Sequence, residues 1–113
     1  MVSDHKEFAK EVDARAAKLF KAAPEVMRAF RGLMENAGEE GSLDAKTKEL
    51  MALAVGIAVH CEGCINFHIR AAIKKGATRE EVAETAAVAI EMGGGPAAVH
   101  GVQALEAFDQ LSG

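Results

Sequence analysis

The chain has no tryptophan and no tyrosine, only two cysteines and two prolines in 113 residues, and no surplus of positive charge. Each shortage narrows the reading. A formal net charge of −4, without a basic run or tail, argues against a nucleic-acid partner or an anionic membrane surface. The longest apolar run, LMALAVGIAV at residues 50–59, is too short to span a bilayer. The opening residues MVSDHKEFAK are polar and charged, unlike a signal peptide. Together these features predict a soluble, cytoplasmic protein with no membrane partner, where a disulfide is more often catalytic or transient than structural. Strand patterns, repeats and low-complexity segments are absent. The glycine run at 93–95 lacks the Gly-Lys-Ser/Thr of a phosphate loop, which leaves it as a helix break.

What is present reads as helix. The length predicts a single domain over 1–113 with its own core, and 50% hydrophobic with 27% charged residues is an ordinary globular balance. The pattern predicts an all-α fold of about six helices. Phe8, Val12, Ala16 and Leu19 share a face between about residues 4 and 22. Pro24 opens a second helix with the stripe Val26, Met27, Phe30, Leu33 and Met34, and NAGEEGS at 36–42 reads as a loop. Ser42 or Asp44 caps a third helix to about residue 59, apolar almost all round after Glu49 and so predicted to be central and buried. The fourth runs from the cysteines through Lys75 to a stop at Gly76. Thr78 and Glu81 form a capping-box signature for a fifth helix reaching about Met92, and Pro96 starts a sixth that ends near Leu111. Phe8, Phe20, Phe30, Phe67 and Phe108 are spaced as core or interface residues, with Phe67 read as core. The apolar content without larger aromatics fits burial of helix faces against other subunits.

Chemistry concentrates in HCEGCINFH, residues 60–68, which holds both cysteines and two of the four histidines. With Cys61 at the start of the fourth helix, Cys61, Cys64 and His68 fall at i, i+3 and i+7 on one face. The two sulfurs are then neighbours able to close a disulfide. Free N–H groups and the positive dipole end favour thiolate in that first turn. His68 can take the Cys64 proton or stabilise the thiolate as imidazolium. Glu49 shares a helical face with Leu53, Gly56, Ile57 and His60. In an antiparallel hairpin it lies too far from Cys61 for contact but can face the region of Cys64 and His68; the alternative is a first-turn glutamate answering the helix dipole. Other readings of the cysteines are two buried thiols, a non-catalytic redox-sensing pair, or a zinc site using Cys61, Cys64, His68 and His60. Against zinc, there is no second CxxC, and His5 and His100 stand alone. His5 is given no role, and His100 reads as structural or surface.

The combination E-x11-C-x2-C-x3-H, carried by Glu49, Cys61, Cys64 and His68, resembles the signature of the AhpD-like (alkylhydroperoxidase D-like) branch of the carboxymuconolactone decarboxylase family. The flanks LDAKTKELMALAVGIAV, HIRAAIKKGATREEV and MGGGPAAVHGVQALEAF match in style, so the resemblance covers roughly residues 25–108. It implies an all-helical homo-oligomer, a hexamer built from dimers, with trimer or dimer as alternatives. It also implies a thiol-dependent peroxidase and disulfide reductase in antioxidant defence, working beside a peroxiredoxin, with no cofactor and no metal. By the same resemblance Cys64 is the reactive thiol, Cys61 resolves it, and Glu49 and His68 relay protons. The best-known relay also has a histidine just before the second cysteine, where this chain has Gly63. A shorter relay favours disulfide exchange over O–O cleavage. The decarboxylase branch generally lacks the cysteine pair, so its presence argues for redox chemistry over lactone decarboxylation.

Dipole logic alone would make Cys61 the low-pKa thiol; the i+4 contact of His68 and the resemblance favour Cys64. The expected cycle has Cys64 attacking a hydroperoxide or a partner disulfide, Cys61 closing the pair, and an external dithiol reductant resetting it. The expected pocket is small and apolar, lined from the third and fourth helices.

Overall fold

Helix boundaries follow from local capping. Asp4 accepts from Glu7 N at 3.0 Å to start α1 (His5–Ala22), and Pro24 begins α2 (Pro24–Gly38). Asp44 accepts from Thr47 N at 2.7 Å to start α3 (Ala45–Ala58), and Cys61 stands at the N-cap of α4 (Glu62–Lys74). Thr78 and Glu81 complete a capping box on α5 (Arg79–Gly93), which passes through Gly94 into α6 (Gly95–Leu111). The computed structural model describes all of residues 1–113, with six helices and no strand. The predicted loop is shorter than expected: residues 36–38 continue α2, leaving 39–44 as the connection.

The α3–α4 hairpin packs against the α5–α6 hairpin. Between them lies a core of Leu53, Ile57, Ile65, Ile69 and Val82 with five alanines, Ala86, Ala89, Ala97, Ala104 and Ala107. Small side chains let the helix axes approach closely, so the core is thin and tightly interlocked. Lys46 and Glu81 join α3 to α5 at 2.9 Å, and the lysine's hydrogen bond holds the Glu81 carboxyl below the usual carboxylate range.

α1 is attached differently. His5 N donates to Gln110 Oε1 at 2.7 Å, and the buried Asn66 donates to His5 O at 3.1 Å. Arg70 donates to Asn66 Oδ1 and forks onto Asp13, each bond 3.0 Å. α2 touches only α1 and the edge of α3, and none of its residues is buried.

Two expectations need correction. α3 is central but not buried all round: Leu53, Gly56 and Ile57 are covered, while Met51, Val55 and Val59 are more than half exposed. Phe67, read as core, lies at the surface, whereas Phe108 packs against the core as expected. The four-helix core closes without these faces, and no element of the chain is left to cover them. The single chain exposes 6895 Å², against about 6000 Å² expected of a free-standing folded chain of this mass. No helix is long and apolar enough to cross a membrane.

Candidate active site

The α3–α4 turn builds the site. The chain leaves α3 at Val59, and His60 adopts a left-handed backbone with φ +62°. Cys61 N then donates back to Gly56 O at 3.0 Å, which aims Cys61 into the cap position of α4. Cys64 is the third residue of that helix, and its N–H donates to Cys61 Sγ at 3.2 Å. The two cysteines form a disulfide, with their Cα atoms 5.2 Å apart. Gly56 makes this approach possible. A Cβ there would lie 3.2 Å from the Cys64 Cβ and 3.6 Å from Ile65 N, so a side chain would push α4 off α3.

One turn beyond Cys64, His68 meets Glu49 across the hairpin, Nδ1 to Oε2 at 2.8 Å. A carboxylate only accepts, so Nδ1 carries the hydrogen and Nε2 holds the lone pair of the neutral ring. Both side chains are mostly buried, 22% and 20% exposed. Glu49 is the fifth residue of α3, past the first turn, and its carboxylate faces the imidazole rather than free backbone N–H groups. That arrangement removes the dipole reading of Glu49. Phe67 stands edge-on to His68, centroids 5.1 Å apart.

A cavity of about 220 Å³ opens onto this pair. It departs from the expected apolar pocket between the third and fourth helices. Met34, Ala37 and Gly38 enter from α2, Lys48, Glu49 and Ala52 from α3, and only His68 from α4. α2 thus forms one wall, and the lining is partly charged. Lys48 is held by the Glu39 carbonyl at 2.6 Å. Nothing in the sequence marks Met34 or Lys48 as site residues, because the cavity exists only between helices.

The remaining histidines fall elsewhere. His60 lies past the end of α3, outside the helical face it was expected to share with Glu49, and its ring stacks on His100 with centroids 4.9 Å apart. His5, given no role, is buried, with its Nε2 unpartnered. The signal for it was available: His5, Phe8 and Ala9 fall at i, i+3 and i+4 behind the Asp4 cap. As for zinc, the two sulfurs are joined to each other and no three His, Cys, Asp or Glu side chains converge. The donor set does not fit a metal centre.

These features define a class: an all-helical protein with a disulfide-forming CxxC at a helix N-terminus and a carboxylate–imidazole pair one turn behind it. The chain belongs to the carboxymuconolactone decarboxylase family, whose family model matches residues 24–107. That membership is consistent with the AhpD-like branch to which the motif points. A carboxymuconolactone decarboxylase family protein from Legionella pneumophila, solved in its apo form, superposes with a TM-score of 0.93 at 44% identity, over 98% of this chain and 100% of that one. A Thermotoga maritima family member superposes with a TM-score of 0.80 at 27% identity, over 91% of this chain and 88% of that one. An uncharacterised protein of Cupriavidus necator is 42% identical over 112 residues, 99% of both chains.

Proposed function

We propose that this protein is a thiol-dependent oxidoreductase of antioxidant defence in the cytoplasm, acting as an alkylhydroperoxidase-like peroxidase or a disulfide reductase. The observation that carries the reading is the Cys61–Cys64 disulfide on the helix that also presents His68 to Glu49. The Thermotoga maritima relative, with its suggested involvement in an antioxidative response, points the same way.

In the reduced protein, His68 Nε2 takes the Cys64 proton, and Glu49 stabilises the imidazolium through Nδ1–H. The Cys64 thiolate attacks the distal oxygen of a hydroperoxide. The O–O bond breaks, sulfur is oxidised to the sulfenic acid, and the alkoxide leaves as alcohol with the proton from His68. Cys61 then attacks the Cys64 sulfur, forming the S–S bond and expelling water. With a disulfide substrate, the same thiolate forms a mixed disulfide that Cys61 resolves, releasing the substrate as a dithiol. An external dithiol is oxidised to reset the pair, and a peroxiredoxin is a fitting partner. The exposed stripes of α2 and α3 and the excess surface support a homo-oligomer, a hexamer in the first instance and otherwise a trimer or dimer.

The test treats reduced protein with one equivalent of hydroperoxide and follows thiol loss by mass spectrometry. Rapid intrachain disulfide formation, slowed about 100-fold by His68→Ala, is the expected result. Thiols inert to peroxide but quick with a small disulfide would select the reductase arm. Thiols inert to both would overturn the proposal, as would decarboxylase activity that survives replacement of both cysteines by serine.

A further inference from the structure

Two histidines take no part in the mechanism above, yet one is the residue before Cys61. We infer that His60 and His100 are positioning residues that hold the α3–α4 turn so that Cys61 is poised to close on Cys64; the inference rests on the redox reading of the pair.

His60 is the sole non-glycine residue with a positive φ, +62°. Side chains with a Cβ are uncommon there, and the cost of that conformation is met by the backbone bonds of the helix end and by what the side chain touches. The surroundings are visible. The His60 ring lies nearly parallel to that of His100, with an interplanar angle of 20°. The His100 ring is itself fixed, because its Nδ1–H donates to Pro96 O at 3.0 Å.

The glycine run explains why the two rings meet. Gly94, at φ +72° and ψ −154°, adopts a backbone conformation essentially reserved for glycine and turns α5 sharply into α6. At Gly93 a Cβ would lie 2.8 Å from the Ala97 Cβ and 3.6 Å from the Ala58 Cα. The absence of that atom lets the α5–α6 junction seat against the last turn of α3. Residues 93–94 therefore do more than break a helix: they bring His100, in the second turn of α6, beside His60.

The consequence falls on Cys61. His60 N donates to Ile57 O at 3.2 Å and Cys61 N to Gly56 O at 3.0 Å, so the left-handed turn leads directly into the cap position. The 5.2 Å between the cysteine Cα atoms is within the range a disulfide spans. Once the disulfide is reduced, the two backbone bonds of this helix end remain, and the stacked rings add to them by holding the one side chain at positive φ. A held turn raises the effective concentration of the Cys61 thiol at Cys64, which favours closure.

The test measures the dithiol–disulfide equilibrium constant of the full-length protein in glutathione buffers, for wild type, His100→Ala, His60→Ala and His100→Phe. Loss of either ring should lower the constant about fivefold, the scale of support for one left-handed residue. His100→Phe keeps a flat ring under His60 but loses the bond to Pro96 O, and should restore part of it. A merely structural histidine would lower the melting temperatures of the oxidised and reduced forms equally and leave the constant unchanged; that result overturns the inference. So does a phenylalanine variant no better than alanine. The equilibrium needs no substrate, so failure of the enzymatic reading, inertness toward peroxides and disulfides, is a separate outcome.

Discussion

From α3 to α6 the helices are joined by a thin apolar core of branched side chains and alanines, whereas α1 is tied by a few polar contacts and α2 by almost nothing. The candidate site straddles these two regions. Its disulfide and its Glu49–His68 pair belong to the tightly packed part, and one wall of its cavity comes from the loosely held α2. The disulfide and the Glu49–His68 pair thus sit on well-packed helices, while the α2 wall of the cavity has little packing of its own.

That contrast can be broken most forcefully in the core. Leu53 is fully buried at the centre of the α3–α6 cluster. Leu53→Ala should cost about 3 kcal/mol, read as a fall in the urea midpoint with the transition still cooperative. A loss under 1 kcal/mol would mean that the core is not where the stability resides.

A smaller effect should separate α1 from the rest. Asn66→Ala removes the donor to His5 O and the acceptor for Arg70. The expected loss is about 2 kcal/mol, the scale of two hydrogen bonds of which one has a charged donor. Hydrogen exchange should quicken in α1 while α5 keeps its protection. Uniform quickening along the chain would show that α1 and the core form one cooperative unit.

The smallest effect on the chain itself, and the sharpest on its assembly, should come from α2. Phe30 is half exposed on a helix with no buried residue. Phe30→Ser should change the stability of the isolated chain by no more than about 0.5 kcal/mol, yet reduce the assembled mass in light scattering. An unchanged mass would remove α2 from the proposed interface and leave the exposed stripe on α3 to account for it.

Much of the helical layout was legible in the sequence. The Thr78–Glu81 box, the Asp44 cap, and the prolines at 24 and 96 each mark a helix start through groups no more than four residues apart. The extent of α2 was less clear, because Asn36 and Gly38 are weak helix formers that a continuing helix can tolerate. The all-round apolar character of α3 was read as burial, and this failed for an identifiable reason. Periodicity tells which positions are apolar, not which neighbour covers them. Met51, Val55 and Val59 are apolar on a side that this chain alone leaves open.

By itself the sequence determined that the chain is all-helical, where its helices start, and that Cys64 and His68 fall along one face of a helix that begins at Cys61. Those properties depend on capping groups and on the fixed period of a single helix. Only the tertiary structure decided that Glu49 meets His68, 19 residues along the chain, that α2 walls the cavity, and that His60 leaves the helix to stack on His100. Each of these depends on how closely two helices approach. For the α3–α4 and α3–α6 contacts that distance is set at Gly56 and Gly93, where the absence of a single Cβ lets neighbouring segments touch.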